Sequence, residues 1–215
     1  MDTLTWLITS TTYGTWLPGD ARGFVGRVWD ARPDDPATES LRVKHNVIDT
    51  PYDRDIPGLH EKSRALMKGN PVFLSVEQAD VVLTQFQETA AHRGWKLHAG
   101  SAMANHFHLV VTAPAEVLTD EILRDFKSYA SRALNKRCSK PSSGTWWTAS
   151  GSRRRLPDSH AVVAAIRYVL EQYRPLARWL NPEHGAIEAF LSGGRQPAVN
   201  DNDDDDDDDA DNTAG

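Results

Sequence analysis

Met103-Ala-Asn-His-Phe-His-Leu-Val-Val-Thr112 is the stretch that decides the fold, because its composition and alternation are those of a β-strand. Side chains two apart on a strand lie on the same face. His106 and His108 therefore share one face. Phe107 and Leu109 lie on the other face, where they can pack into a core. Two imidazoles side by side on a rigid strand provide half of a divalent-metal site.

The sequence around this strand predicts an α+β fold. The run 4–13, which consists largely of Thr, Ile, Leu, Trp and Tyr, indicates a first strand. Ser75-Val-Glu-Gln78 matches a capping box, and apolar residues at helical spacing follow it up to Gly94. The other predicted elements are strands at 95–102, 106–112 and 146–149, helices at 59–67, 119–136 and 158–173, and a last helix at 175–179 or 182–191. The order predicts an antiparallel sheet with helices packed mainly on one face.

The length of 215 residues fits one domain, which we expect to span 1–192 with a long insertion at about 20–74. A single cysteine, Cys138, excludes an internal disulfide and fits a reducing cytoplasm. The N-terminus lacks the pattern of a signal peptide, and no run approaches the roughly 20 apolar residues of a membrane span. We therefore expect a cytoplasmic protein.

The net charge of -6 comes from the C-terminal end, since residues 201–215 hold nine Asp and no Lys or Arg. We expect 193–215 to be a disordered acidic tail. The rest of the chain has 24 basic and 21 acidic residues, which is compatible with a phosphate-rich partner or simply with solvated surfaces. The basic residues predicted to contact DNA are Arg124, Lys127, Arg132, Arg153, Arg154 and Arg155.

Tyr168 and Gln172 lie four apart on a predicted helix and so share one side of it. Two imidazole nitrogens and one amide oxygen supply three neutral ligands and leave open positions for phosphate oxygens. Neutral ligands preserve the full charge of the ion. Mg²⁺ prefers oxygen ligands, Mn²⁺ accepts imidazole more readily, and Zn²⁺ would also bind such a set; we expect Mg²⁺ or Mn²⁺. His106, His108 and Gln172 are therefore the predicted metal ligands. Tyr168 is the predicted catalytic nucleophile of a metal-dependent nuclease.

Each part of this constellation has a simpler interpretation. The two histidines can be ordinary hydrogen-bonded side chains, and a Tyr–Gln pair is common on helices. Tyr129 is the main competitor for nucleophile, although its basic neighbours are more typical of a DNA contact or a packing residue. Asn105 can stabilise the hairpin turn, or it can orient a histidine ligand through a hydrogen bond without binding the metal itself.

The motifs resemble a known family. Asn105-His-Phe-His-Leu-Val-Val111 resembles the HUH motif of single-tyrosine transposases, in which a hydrophobic residue separates two metal-binding histidines. Tyr168-Val-Leu-Glu-Gln172 is similar to their catalytic helix. The opening Thr9-Ser-Thr-Thr-Tyr-Gly-Thr-Trp-Leu-Pro-Gly-Asp20 resembles a bacterial branch that includes the REP-associated tyrosine transposases. The resemblance covers residues 4–20 and about 75–175.

This resemblance implies a ferredoxin-like, RRM-like sheet with a C-terminal tyrosine-bearing helix. It implies a divalent metal and cleavage and rejoining of single-stranded DNA at hairpin-bearing ends through a 5′-phosphotyrosine. It also implies a homodimer, in which the tyrosine helix sometimes docks onto the partner's histidines. Two alternatives stay open: a domesticated binder of DNA hairpins with little or no cleavage, and a metallohydrolase that uses water as its nucleophile.

Overall fold

The computed structural model describes residues 2–24, 29–31, 42–44 and 56–185. The acidic tail at 193–215, residues 25–28, 32–41 and 45–55 of the insertion at 20–74, and the end of the helix predicted at 182–191 lie outside the described residues. The strands are β1 (Thr3–Thr11), β2 (Trp29–Ala31), β3 (Arg42–Lys44), β4 (Lys96–Ala102), β5 (His106–Pro114), β6 (Ser152–Leu156) and β7 (Ala177–Leu180). The helices are α1 (Pro57–Ala65), α2 (Val76–Arg93), α3 (Thr119–Arg137) and α4 (Ser159–Leu170), followed by a short 3₁₀ turn, Pro182–His184.

The main sheet has the strand order β6-β1-β5-β4-β7, and all neighbouring strands are antiparallel. The chain passes from β1 through α2 to β4, which leaves room for β5 between them. It then passes from β5 through α3 to β6, on the far side of β1. These two interleaved crossovers are the ferredoxin-like arrangement, so the predicted α+β class is confirmed. Strand β7 extends the sheet beyond β4, and β2 and β3 form a separate hairpin.

The larger core lies between the sheet and the pair α2 and α3. Its centre is aromatic: the Phe86 ring centroid lies 4.9 Å from that of Phe107 and 5.2 Å from that of Phe126. A smaller core lies on the other face, where α4 packs Ile166 and Val169 near Val110 of β5. The alternation of β5 thus supplies both cores. His106 and His108 share the parity of Val110, so they lie on the face that α4 covers.

Local sequence signals account for the helix ends. Ser75 and Gln78 form the predicted capping box at the start of α2. Gly94 closes that helix in the left-handed conformation, with φ of 67°, which glycine adopts without steric cost. The Asp158 side chain accepts a hydrogen bond of 2.8 Å from the backbone N–H of Ala161, which caps α4.

The strand predicted at 146–149 is wrong. Trp147 pairs with Thr12 only through an isolated bridge, and the indole N–H of buried Trp146 donates to Asn135 instead. The fourth strand of the ferredoxin-like core is β6, which carries the arginine triplet. An edge strand accepts consecutive charged residues because much of it stays exposed to water. Since a run of arginines lacks the apolar alternation typical of a strand, the sequence pattern does not predict β6.

The helix predicted at 175–179 is also wrong, because residues 177–180 form β7. Ala177 and Trp179 pack against the larger core, while Leu180 packs against the smaller one. This alternation is that of a strand, and four residues are too few to distinguish it from a helix by sequence pattern. Within the described ranges, no helix is long and apolar enough to cross a membrane.

We expect Phe86→Ala to lower the free energy of unfolding by about 3–5 kcal/mol, because it empties the centre of the larger core. Phe73→Ala is the matched control, since Phe73 is 63% exposed and its loss should cost within about 0.5 kcal/mol. Urea titration followed by circular dichroism measures both. Equal losses for the two variants would contradict this packing.

Candidate functional site

Strand β5 brings the two predicted histidine ligands together at its start. The ring centroids of His106 and His108 are 4.9 Å apart, and the rings are nearly perpendicular. His108 is only 4% exposed, whereas His106 is partly buried. His108 is therefore enclosed by the fold, while His106 keeps part of its surface in contact with solvent.

The Nδ1 atom of each histidine lies at hydrogen-bond distance from a neighbouring side chain. His108 Nδ1 lies 2.6 Å from the Thr9 hydroxyl, and His106 Nδ1 lies 2.7 Å from Asn105 Oδ1. Since an amide oxygen only accepts, His106 must donate from Nδ1, which leaves a lone pair on its Nε2. The Nε2 of His108 is buried and has no hydrogen-bond partner among the described residues. Such a nitrogen is suited to a metal ion, and its neighbours fix the ring orientation.

Burial keeps both imidazoles neutral. It lowers the pKa of His108 to about 4, and the charge of His106 lowers it further, while the nearby Gln172 side chain opposes the shift. Burial also lowers the pKa of His106, with a smaller contribution from the positive charge of Arg22. A neutral imidazole is the form that binds a metal ion, so this environment prepares both rings for coordination.

Helix α4 carries Tyr168 to the histidine pair within the same chain. The Tyr168 ring centroid is 5.2 Å from that of His108, and the side chain is 50% exposed. Tyr129, the competing candidate, lies on α3 on the opposite side of the sheet. Its ring is 6.3 Å from the His92 ring and 4.9 Å from the Arg132 guanidinium carbon. Of the two tyrosines, Tyr168 is the one that the fold brings to the histidines.

The third predicted ligand, Gln172, lies just beyond the end of its helix. Helix α4 ends at Leu170 rather than near residue 173, with Glu171 as its C-cap. The Gln172 side chain donates from Nε2 to the Tyr168 carbonyl at 2.9 Å and so continues the helical spacing. The described residues contain no group of three or more His, Cys, Asp or Glu able to hold a metal. A metal site here therefore depends on the amide of Gln172.

Lys127 differs most from its predicted role as a DNA contact. Its side chain is buried, and Nζ donates to the carbonyls of Thr148 at 2.9 Å and Ser150 at 2.7 Å. Burial, together with the charge of Arg153, lowers the Lys127 pKa to about 8. The buried amine thus stabilises the loop before β6 and does not lie at the surface.

The other predicted DNA contacts lie on different faces. Arg153 forms an ion pair with Asp120 of α3, and Arg124 forms one of 3.7 Å with Glu121. Arg132 and Arg155 are exposed. Arg154 is exposed too and pairs in register with Leu7, which packs into the smaller core. Arg154 is therefore the member of its triplet that shares a face with the histidines.

Strand pairing adds polar residues that sequence reasoning missed. Register places Ser101 and Thr9 directly beside His108, one on each side. The Ser101 hydroxyl is buried and has no hydrogen-bond partner among the described residues. Arg178 of β7 pairs with Ser101 and is exposed, so it continues the same row to the sheet edge. A single sequence gives no signal for this row, because register between distant strands sets it.

A second histidine pair lies near the opposite end of the sheet. His98 Nδ1 is 2.9 Å from His184 Nε2, and His98 Nε2 is 2.7 Å from the Thr112 hydroxyl. Burial, together with the charges of His184 and Lys96, lowers the His98 pKa to about 4. Both ring nitrogens of His98 have hydrogen-bond partners, so His98 offers no free nitrogen to a metal ion.

Residues 69–154 match the family described as "Transposase IS200 like". The match includes both histidines of β5 and ends before Tyr168. One similar solved structure is of a REP-associated tyrosine transposase bound to a REP hairpin (TM-score 0.38, 8% identity, 77% of this chain and 63% of that chain covered). The chain thus spans less than two thirds of that protein. Another, from Deinococcus radiodurans R1, is described as a "putative transposase" (TM-score 0.38, 12% identity, 80% and 93% covered). A comparison with curated proteins gives no match.

We expect Thr9→Val to weaken Mn²⁺ binding by about 10- to 100-fold, because it removes the hydroxyl that orients His108. Thr5→Val is the matched control: Thr5 lies on the same face of β1, and its hydroxyl bonds to Thr112 at 2.7 Å, away from the pair. Electron paramagnetic resonance of free Mn²⁺ measures both affinities. Equal losses in the two variants would show that Thr9 does not steady a ligand.

We expect the free energy of unfolding to decrease as the pH is lowered from about 7 to about 5. Unfolded histidines take up protons near pH 6.5, whereas the pKa of folded His98 and His108 is about 4, so acid favours the unfolded chain. Urea unfolding across this range measures the slope, and His98→Gln should reduce it. A stability that rises towards pH 5, or an unchanged slope in the variant, would contradict the assignment.

Proposed function

We propose that this chain, of which residues 69–154 match the IS200-like transposase family, cuts and rejoins single-stranded DNA with Tyr168 as the nucleophile. One observation carries this proposal. The half-exposed phenol of Tyr168 lies over His108, with 5.2 Å between ring centroids, and the buried Nε2 of His108 has no partner among the described residues.

In the proposed reaction, the Tyr168 oxygen attacks the phosphorus of a phosphodiester and the bond from phosphorus to the 3′-oxygen breaks. The phenolic proton is removed, and the departing 3′-oxygen takes up a proton to become a hydroxyl. The products are a 5′-phosphotyrosine and a free 3′-hydroxyl. Attack by a 3′-hydroxyl on the phosphotyrosine reverses the sequence and joins strands. One phosphodiester replaces another, so the exchange needs no nucleotide triphosphate.

The donor set of His106, His108 and Gln172 fits Mg²⁺ or Mn²⁺ bound through neutral ligands. When bound, such an ion polarises the phosphodiester and offsets the charge that develops on its oxygens. The chain's own contribution is orientation. Thr9 and Asn105 fix the two imidazoles, while the Tyr168 carbonyl accepts a hydrogen bond from Gln172. The nucleophile and the third ligand are thereby held four residues apart on one backbone segment.

Two exposed arginines suit the backbone of the bound strand. Arg178 and Arg154 lie at opposite sides of the histidine face, on β7 and β6. A strand laid across this face from one arginine to the other would pass the histidines and Tyr168. Guanidinium groups bind phosphate oxygens without reading sequence, so these residues would position the strand. DNA with hairpin ends is the proposed substrate, and a homodimer the proposed assembly.

We expect Tyr168→Phe to abolish the covalent protein–DNA adduct and to leave DNA binding within about twofold, because the change removes one oxygen at a half-exposed position. Tyr173→Phe is the matched control, since Tyr173 is a more exposed phenol five residues further along the chain. Incubation with hairpin-bearing single strands and Mn²⁺, followed by denaturing electrophoresis, measures the adduct.

Two results would contradict the proposal. An adduct that survives in Tyr168→Phe would remove this residue as the nucleophile. Hairpin binding without any Mn²⁺-dependent adduct in the unaltered protein would instead favour a binding protein that does not cleave.

A further inference from the structure

Trp16 and Arg22 form a stacked pair in the loop that follows β1, and the proposed reaction does not use them. The Arg22 guanidinium carbon lies 4.6 Å from the centroid of the Trp16 ring. Trp16 is 39% exposed, although tryptophan is usually mostly buried in a folded chain. We refer to these two side chains as the Trp16–Arg22 stack.

Hydrogen bonds hold each member of the stack in place. Arg22 donates from Nε to Asp20 Oδ1 at 2.8 Å, and from Nη2 to Asp20 Oδ2 at 2.5 Å and the Thr15 carbonyl at 3.0 Å. Trp16 donates from its indole nitrogen to the Gly23 carbonyl at 2.6 Å. Nη1 of Arg22 has no hydrogen-bond partner among the described residues, so two N–H donors remain for a ligand.

The loop that carries the stack is packed closely against the start of α1. Gly19 has φ of +86°, and a Cβ built there would lie 2.4 Å from the backbone nitrogen of His60. The Gly19 carbonyl also accepts a hydrogen bond of 3.2 Å from the N–H of Ile56. The stack is therefore preorganised, which lowers the entropy lost when a ligand binds.

A chain of hydrogen bonds joins the stack to the histidine pair. Thr15, whose carbonyl holds Arg22, donates from its hydroxyl to the Asn105 carbonyl at 3.1 Å. The side-chain oxygen of Asn105 accepts the hydrogen bond from His106. The stack thus lies beside the site of the proposed reaction, at the end of β1 that meets the start of β5.

We propose that the Trp16–Arg22 stack binds an unpaired base next to the phosphodiester that reacts. This inference rests on the proposed function, because it places the base in the strand that Tyr168 attacks. Unpaired bases stack on aromatic rings and on guanidinium planes. The free Nη1 donors of Arg22 favour a base whose edge presents acceptors, such as O6 and N7 of guanine. The stack would therefore select the nucleotide at one position of the flank.

The test uses a synthetic DNA hairpin with randomised single-stranded flanks, and all proteins carry Tyr168→Phe so that binding is measured without cleavage. Bound molecules are recovered and sequenced. We expect guanine to be enriched at one flank position. Replacing that nucleotide by an abasic site should weaken binding roughly 5- to 100-fold.

Variants locate the effect. Trp16→Ala and Arg22→Gln should each remove the enrichment and the cost of the abasic site, while affinity for the hairpin itself is kept. Trp16→Phe, which retains a stacking ring, should keep the enrichment in part and guards against simple misfolding of the loop. Leu118→Ala is the control, since Leu118 is exposed and follows the far end of β5.

The outcomes separate the two proposals. If the probe binds and the unaltered protein forms its adduct, but Trp16→Ala and Arg22→Gln retain the same enrichment, the stack has no role in base binding and this inference is overturned alone. If the Tyr168→Phe protein binds no member of the pool and the unaltered protein forms no adduct, the proposed function is overturned and this inference with it.

Discussion

The pairing of β1 with β5 is the constraint on which the rest of the structure depends. It sets Thr9 opposite His108 and Thr11 opposite His106, with every neighbouring pair following in register. Because side chains alternate along a strand, a slip of one residue would turn both histidines towards the larger core and Phe107 towards α4. The buried rings of Phe86 and Phe107 make such a slip costly, so hydrophobic packing on one face fixes the chemistry on the other.

Burial and hydrogen bonding act together on the two imidazoles. Burial lowers the pKa of both imidazoles and so favours their neutral form. The hydrogen bonds to Thr9 and Asn105 hold each ring by its Nδ1 atom. An imidazole that is neutral, fixed and open at Nε2 loses little entropy when it binds an ion. The same surroundings leave the Nε2 of His108 without a hydrogen-bond partner among the described residues, which is uncommon for a buried polar atom in a folded protein.

Much of this arrangement could be predicted from local sequence. The period-two pattern of 103–112 gives a strand with both histidines on one face, and the capping residues Ser75 and Asp158 give the starts of two helices.

The predictions that failed concern positions where the local sequence pattern and the tertiary structure disagree. Consecutive arginines form β6 because it is an edge strand, and Trp146 is buried outside any strand. Thr9, Ser101 and Arg178 join the site through strand register, which no single segment encodes. The buried position of Lys127 likewise depends on a loop twenty residues away.

The unequal size of the two cores has a consequence for how the molecule opens. The larger core contains Phe86, Phe107, Phe126 and three buried tryptophans, whereas the smaller core beneath α4 contains no buried phenylalanine, tyrosine or tryptophan among the described residues. Partial unfolding starts where the least apolar area is lost, so α4 should detach from the sheet before α2 or α3 does. Its backbone amides should then exchange with deuterium sooner than those of the other two long helices. Of those three helices, the easiest to release from its own sheet is therefore the one that carries the phenol.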